Sequence, residues 1–198
     1  MRVVFLDIDT QIDFMLPEGN LYVPGAEELL PLYEQISSFA LEKGITVLAS
    51  ADAHHADDPE FSQFPAHCVK GRPGQQKVKE TNPTLFFTEE NDGMPAAEEN
   101  FALKHVLFEK QSFDVFSNPK IDEYLESLKP DKIVVYGVAT DYCVKAAVES
   151  LLERNCGVIL LTDGIKAVDP AQHDAIVNDL QQKGAELCTF EEFIGRYK

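Results

Sequence analysis

Cys143 is the residue of this sequence best placed to act as a nucleophile. The stretch IVVYGVATDYCVKAAVESLLE (133–153) begins as an apolar strand and continues as a helix, with Cys143 in the first helical turn. If Thr140 is the N-cap, free backbone N–H groups and the helix dipole lower the pKa of a thiol at this position. Cys143 also borders the apolar stripe of the helix, so an ordinary buried cysteine is the alternative. The local sequence leaves both interpretations open.

A reactive thiol needs a proton acceptor and a group that holds charge. Asp9 follows the apolar strand VVFLDI (3–8), and Lys110 ends the apolar strand HVLFEK (105–110). Each residue also has an ordinary interpretation, because a carboxylate at a strand end can cap a helix and most lysines are solvated. Their shared position at strand ends is what makes them candidates.

A second group of residues is typical of a metal site. Asp52 and His54 lie two residues apart just after a strand, so their side chains leave the same face, and His67 lies later in the same loop. One carboxylate and two imidazoles suit zinc, iron or manganese, with positions left for water and substrate. Glu60 is the preferred candidate for a further ligand, because His55 points away from His54.

Two aromatic residues flank this loop and the strand before it. Phe14 precedes the candidate site in the chain and Phe64 lies just before His67. Such rings either form the wall of a pocket for a flat ligand or close the hydrophobic core. The sequence does not separate these interpretations.

The elements that must position these residues alternate between strands and helices. Apolar runs predict strands at 3–8, 45–50, 84–89, 105–110, 132–137, 157–163 and 185–189. Helical patterns cover 26–44, 118–129, 140–155 and 169–184. This alternation predicts an α/β fold with right-handed crossovers and a mostly parallel sheet covered by helices on both faces. Ligands of such folds bind at the carboxyl ends of the strands, where Asp9, Asp52, Lys110 and Cys143 all fall.

Length and composition indicate one globular domain over residues 1–198, with 44% hydrophobic and 26% charged residues. The formal charge of -17 argues against nucleic acid or an anionic membrane as a partner. No apolar run approaches the roughly 20 residues of a membrane helix, and the N-terminus is a poor signal peptide. The four cysteines are therefore expected to be reduced thiols in a cytoplasmic protein. A homo-oligomer is compatible with the sequence, which does not fix the oligomeric state.

Three motifs together resemble the isochorismatase-like cysteine hydrolases, and within them the nicotinamidases. They are DTQIDF (9–14), the metal loop with DAH (52–54) and PAHCVKGRPG (65–74), and GVATDYCV (137–144). They occur in the order found in the family and span most of the chain. The resemblance implies the three-layer α/β/α sandwich of that family. It is least informative over roughly 77–100.

The resemblance also implies an activity and assigns roles to residues. Asp9, Lys110 and Cys143 would form a catalytic triad that hydrolyses nicotinamide to nicotinate and ammonia through a thioester on Cys143. Backbone N–H groups of Ala139 and Cys143 would form the oxyanion hole, beside a cis peptide bond between Val138 and Ala139. The metal, zinc first and iron or manganese otherwise, would bind to Asp52, His54 and His67 and contact the substrate ring nitrogen.

The sequence departs from the nicotinamidase pattern on the expected substrate wall. Phe64 stands where many nicotinamidases carry tryptophan, and QSFDVFSN (111–118) lacks a glycine-rich pattern. Another amide, carbamoyl or ureido hydrolase, or an isochorismatase-type hydrolase, is therefore the alternative within the family. A non-catalytic metal- or ligand-binding α/β domain is the alternative from a different class.

Overall fold

The computed structural model describes residues 1–82 and 86–197, and these residues form a seven-stranded sheet in which every neighbouring pair is parallel. The strands are β1 Val3–Ile8, β2 Thr46–Asp52, β3 Phe87–Glu89, β4 His105–Lys110, β5 Lys132–Val138, β6 Val158–Lys166 and β7 Glu186–Cys188. Their spatial order is β3-β4-β2-β1-β5-β6-β7. The prediction of a parallel sheet is confirmed. Of the strand predicted at 84–89, residues 84 and 85 lie outside the described residues.

Six α-helices are found in the described residues. They are α1 Ile12–Met15, α2 Leu30–Lys43, α3 Lys120–Leu128, α4 Lys145–Glu153, α5 His173–Gln182 and α6 Phe190–Arg196. The predicted helix at 26–44 begins as a 3-10 turn, Ala26–Leu29, and becomes α-helical at Leu30, since Pro31 is tolerated in the first turn. It ends at Gly44, whose φ of 64° is the left-handed conformation that glycine adopts without strain. None of the described helices has the length and apolarity that crossing a bilayer requires.

Strand β1 shows why the molecule has three layers. Its alternate residues point to opposite faces, so Phe5 packs in one apolar cluster and Leu6 in another. The first cluster contains Tyr33 of α2 and Phe193 of α6, and the second contains Val148 of α4. Each face of the sheet is therefore covered by helices, and the predicted three-layer α/β/α arrangement is confirmed.

The strand order brings the predicted site residues to one edge of the sheet. In the register of β2 and β4, Asp52 is paired with Lys110, and in that of β1 and β5, Ile8 is paired with Gly137. The carboxyl ends of β4, β2, β1 and β5 thus lie side by side. Gly137 allows the close approach there, because a Cβ atom on it would be 2.1 Å from the Ile8 carbonyl oxygen.

Candidate active site

Lys110 joins the residues at this edge of the sheet. Its side chain is fully buried, and Nζ lies 2.9 Å from Asp9 Oδ2 and 3.6 Å from Cys143 Sγ. The ammonium group also donates to Asp52 Oδ1 and, at 2.9 Å, to the carbonyl oxygen of Ser112. Burial disfavours the charge on Lys110, but Asp52 and Asp9 outweigh this effect and keep its pKa well above the ordinary value. The structure therefore brings Asp9, Lys110 and Cys143 together around one buried cation.

Cys143 lies in a helical turn that differs from the predicted one. Thr140–Val144 is a π-helical turn that continues into α4, and Ala139 occupies the N-cap position. Thr140 is buried, and its hydroxyl has no hydrogen-bond partner among the described residues. The prediction of Thr140 as N-cap is therefore wrong, because its side chain is packed inside the protein. The peptide bond between Val138 and Ala139 is cis.

The expectation of a lowered thiol pKa is also wrong for the free protein. Burial raises the pKa of the Cys143 thiol well above its ordinary value; Lys110 opposes this effect, and the carboxylates of Asp9 and Asp52 add to it. A raised pKa disfavours the thiolate, so nucleophilic attack by Cys143 calls for a neighbouring base. A carboxylate oxygen of Asp9 lies within 4.8 Å of the sulfur.

Asp52, His54 and His67 form a buried cluster beside Lys110. Asp52 Oδ2 lies 3.7 Å from His54 Nε2 and 3.8 Å from His67 Nε2, and the three ligand atoms are all within 4.8 Å of one another. Ligands of a tetrahedral zinc ion are about 3.4 Å apart, given zinc–nitrogen bonds of about 2.0–2.1 Å. The spacing of these atoms is thus close to that of a zinc site.

The hydrogen bonds of the two histidines orient them for a cation. His54 Nδ1 lies 3.0 Å from Asp58 Oδ2, and His67 Nδ1 lies 2.8 Å from the Pro65 carbonyl oxygen. Since both partners are acceptors, each Nδ1 carries a proton, and Nε2 is the atom of each imidazole that a metal ion would bind in place of a proton. His54 Nε2 is buried and has no hydrogen-bond partner among the described residues. An orphaned buried nitrogen beside two further donor atoms fits a bound divalent metal ion.

Electrostatics at His54 support the same interpretation. Burial disfavours the charged imidazole, but the carboxylates of Asp52 and Asp58 outweigh it and raise the pKa of His54 to about 9. A group of negative charges that stabilises a proton on His54 would also stabilise a cation in its place. Glu60 adds to this charge, since its Oε1 lies 3.8 Å from His67 Nε2, whereas His55 is exposed.

Residues of the first and second motifs hold the metal loop in place. The Gln11 amide donates to the Asp52 carbonyl oxygen at 2.9 Å and accepts from the Asp52 N–H at 2.7 Å. Asp13 Oδ2 accepts from the Cys68 N–H at 2.7 Å, directly after His67. Gly74 packs on this carboxylate so closely that a Cβ atom would be 2.1 Å from Oδ2. These contacts fix Asp52 and the segment around His67 relative to the residues that follow β1.

Asp58 gives a prediction for metal binding. The change Asp58→Asn keeps the size of the side chain but replaces the carboxylate that orients His54, and loss of such a partner weakens metal affinity about 10–100-fold. We expect this increase in the dissociation constant of zinc, measured by competition with a chromophoric chelator. Asp57→Asn, at an exposed neighbouring position, is the matched control. Equal affinities of the two variants would show that Asp58 does not support the site.

An apolar pocket lies over Cys143 and the metal cluster. Cys143, Asp52, His67 and Glu60 all contribute to its lining. The remaining lining residues are Phe14, Leu21, Val23, Phe64, Phe113, Val138, Ala139, Tyr142 and Val168. Of the two interpretations that the sequence left open for Phe14 and Phe64, the structure favours the pocket wall, because both residues line this pocket.

Sequence reasoning missed part of the pocket wall. The rings of Phe64, Phe113 and Tyr142 pack edge-to-face or tilted, with centroids 5.3–6.2 Å apart. Phe113 lies in the turn after β4, and Tyr142 lies in the π-helical turn. The departure from the family pattern in residues 111–118 was the only signal for Phe113, and no feature of the sequence singled out Tyr142.

The isochorismatase domain family matches residues 3–192 of the chain. This chain belongs to the isochorismatase family. A nicotinamidase of Escherichia coli is 25% identical over 209 aligned residues, which cover 94% of each chain. A protein of Arabidopsis thaliana described as a probable inactive nicotinamidase is 24% identical, over 97% of this chain and 94% of its own. The family resemblance to nicotinamidases predicted from the three motifs is confirmed.

Comparison with a solved structure also supports the fold. The pyrazinamidase of Pyrococcus horikoshii in complex with zinc superposes with a TM-score of 0.79 at 23% identity. The match covers 96% of this chain and 100% of that protein. At this level of identity the likeness establishes a common isochorismatase fold.

Proposed function

We propose that this chain is a metal-dependent cysteine amidohydrolase that converts nicotinamide and water to nicotinate and ammonia. The observation that carries the proposal is that one pocket is lined both by Cys143 and by two of the candidate metal ligands, Asp52 and His67. A nucleophile and residues that would hold a Lewis acid thus face the same small volume. Hydrolysis of amide C–N bonds is also the activity of the nicotinamidase relatives to which the chain is similar.

Asp9 and Cys143 carry out the proton transfers of the first half-reaction. Asp9 takes the proton from the Cys143 thiol as the sulfur bonds to the amide carbon, and negative charge develops on the carbonyl oxygen. Backbone N–H groups of Ala139 and Cys143 stabilise that charge, each being worth about 10²–10³ in rate in other enzymes. The C–N bond then breaks, Asp9 returns its proton to the nitrogen, and ammonia leaves a thioester.

The second half-reaction uses the same groups with water as the nucleophile. Asp9 takes a proton from the water as its oxygen bonds to the thioester carbon. The C–S bond breaks, the sulfur recovers the proton from Asp9, and the carboxylic acid is released. Lys110 keeps its charge throughout and stays paired with Asp9, since its ammonium lies 2.9 Å from Oδ2.

Asp52, His54 and His67, with Glu60 beside them, would hold the metal ion. Zinc is the favoured ion because two imidazoles and a carboxylate leaving an open position are typical of catalytic zinc, with iron or manganese as alternatives. When bound, the ion supplies a Lewis acid that orients a ring nitrogen or polarises a polar group of the substrate.

The charges of the pocket favour a neutral aromatic amide. Among the lining residues that the structure describes, none is a lysine or an arginine, whereas Asp52 and Glu60 are acidic. An N-carbamoyl amino acid or isochorismate carries carboxylates that require a cationic partner when they are removed from water. A divalent ion beside the two carboxylates of Asp52 and Glu60 would leave no net positive charge for such a substrate. The aromatic rings of Phe14, Phe64 and Phe113 instead suit a flat uncharged ring. This arrangement favours nicotinamide over the anionic substrates of the family.

Ammonia release by the zinc-loaded protein tests the substrate assignment. We expect kcat/KM for nicotinamide to exceed that for N-carbamoylglycine by about 10³-fold or more, because each unpaired buried charge costs several kcal/mol. Benzamide, which lacks the ring nitrogen, is the matched control for the contribution of the metal. Turnover of the anionic ureide alone would refute the nicotinamide assignment, and no turnover of any amide would favour a non-catalytic binding domain.

A further inference from the structure

The hydroxyl group of Ser50 makes two hydrogen bonds with Asp9. Ser50 Oγ donates to Asp9 Oδ1 at 2.6 Å and accepts from the Asp9 N–H at 3.2 Å. Both residues are fully buried. Ser50 lies on β2, next to β1 in the sheet, so the contact joins two strands at the edge that carries the site. Ser50 thus fixes both the backbone and the carboxylate of Asp9.

The backbone of Asp9 needs such support. Its φ of 48° lies in the left-handed region, which residues other than glycine adopt at a cost. A side chain on such a backbone leaves β1 in a direction that a regular strand would not give. The two hydrogen bonds with Ser50 hold the carboxylate in that direction.

The contact also distinguishes the two oxygens of Asp9. Oδ1 accepts from Ser50, whereas Oδ2 forms an ion pair with Lys110 Nζ at 2.9 Å and receives no hydrogen bond from any other group of the described residues. A lone pair on Oδ2 is therefore left for a proton from Cys143. If Ser50 Oγ were absent, Oδ1 could rotate toward Lys110 and the carboxylate would lose its fixed orientation.

The backbone of Ser50 is also held in place by a hydrogen bond. Its carbonyl oxygen accepts from Lys77 Nζ at 3.2 Å, and this buried ammonium lies 3.1 Å from Asp7 Oδ2. Asp7 and Lys77 thus form a second buried ion pair, one layer deeper in the sheet than Asp9 and Lys110. A residue with both its hydroxyl and its carbonyl engaged has little freedom to move.

We propose that Ser50 is a positioning residue that presents Oδ2 of Asp9, rather than Oδ1, to the thiol of Cys143. The inference rests on the proposed function of Asp9 as proton acceptor. It assigns to Ser50 an effect on the chemical step and none on substrate binding, because Ser50 does not line the pocket.

The test compares Ser50→Ala with Ser50→Thr, which restores a hydroxyl. We expect Ser50→Ala to lower kcat for nicotinamide about 10–100-fold, within the range that a positioned general base contributes, with KM changed less than about 2-fold. Ser50→Thr is expected to recover most of kcat. The control is Thr46→Val, which removes a buried hydroxyl from the same strand, and urea unfolding of every variant is followed in parallel.

A second readout requires no substrate. We expect the rate of Cys143 alkylation by iodoacetamide to fall about 10-fold in Ser50→Ala and to recover in Ser50→Thr, since the base that removes the thiol proton is misplaced. Failure of the wild type to hydrolyse nicotinamide would refute the proposed substrate but leave this comparison intact. Unchanged kcat and alkylation in Ser50→Ala, or equal losses in Thr46→Val, would overturn the positioning role.

Discussion

Replacement of Cys143 by alanine is expected to lower kcat for nicotinamide by about 10⁴-fold or more, because loss of a covalent nucleophile removes the whole reaction path. The substitution removes one buried sulfur atom at the edge of the core, so the fold is expected to persist. Ammonia release from nicotinamide measures the effect, and urea unfolding confirms that the variant is folded.

Cys156→Ala is the matched control for this experiment. Cys156 is half-buried, carries no disulfide and lies outside the pocket lining. We expect its variant to retain wild-type kcat. Activity in Cys143→Ala above a few percent of the wild type would contradict a thioester mechanism and favour direct attack by water.

Replacement of Lys110 by methionine is expected to abolish activity and to destabilise the protein by about 3–5 kcal/mol, since removing one partner of a buried ion pair leaves uncompensated charge. Methionine has a similar length, so packing is largely kept and the loss reports on charge. Asp9 and Asp52 are the carboxylates left without their cation. Urea unfolding of the metal-free protein measures the loss of stability without a contribution from zinc.

Lys132→Met provides the comparison for a surface ion pair. Lys132 pairs with Glu186 at the surface, and such pairs contribute about 0–1 kcal/mol. We therefore expect a small change in its free energy of unfolding and no change in kcat. A Lys110→Met variant that is as stable as Lys132→Met would show that Asp9 and Asp52 do not depend on Lys110 for compensation.

Much of the site could be predicted from the sequence because of how parallel sheets are built. Asp9, Asp52 and Lys110 each follow or end an apolar strand, and carboxyl ends of adjacent parallel strands share one edge. Local periodicity was therefore sufficient to place them together. The i, i+2 spacing of Asp52 and His54 likewise predicted two side chains on one face, as the structure shows.

Features that depend on three-dimensional packing could not be predicted in this way. Thr140 has the residue type of an N-cap, but tertiary packing buries it and Ala139 takes that position. The pKa of Cys143 depends on burial and on carboxylates from other strands, so a helix start alone gave the wrong direction. Ser50 is a small polar residue within a largely apolar strand, and only the position of Asp9 reveals its two hydrogen bonds.

The most direct test of a thioester on Cys143 is to trap it with hydroxylamine and to measure the hydroxamate that forms. If zinc-loaded protein forms a nicotinoyl thioester, hydroxylamine competes with water for it and the product becomes nicotinohydroxamate while ammonia is still released. We predict that the hydroxamate fraction rises with hydroxylamine concentration in the wild type, with no hydroxamate formed by Cys143→Ala. If nicotinate is the sole product at every hydroxylamine concentration while ammonia is released at the normal rate, the proposed thioester on Cys143 is contradicted.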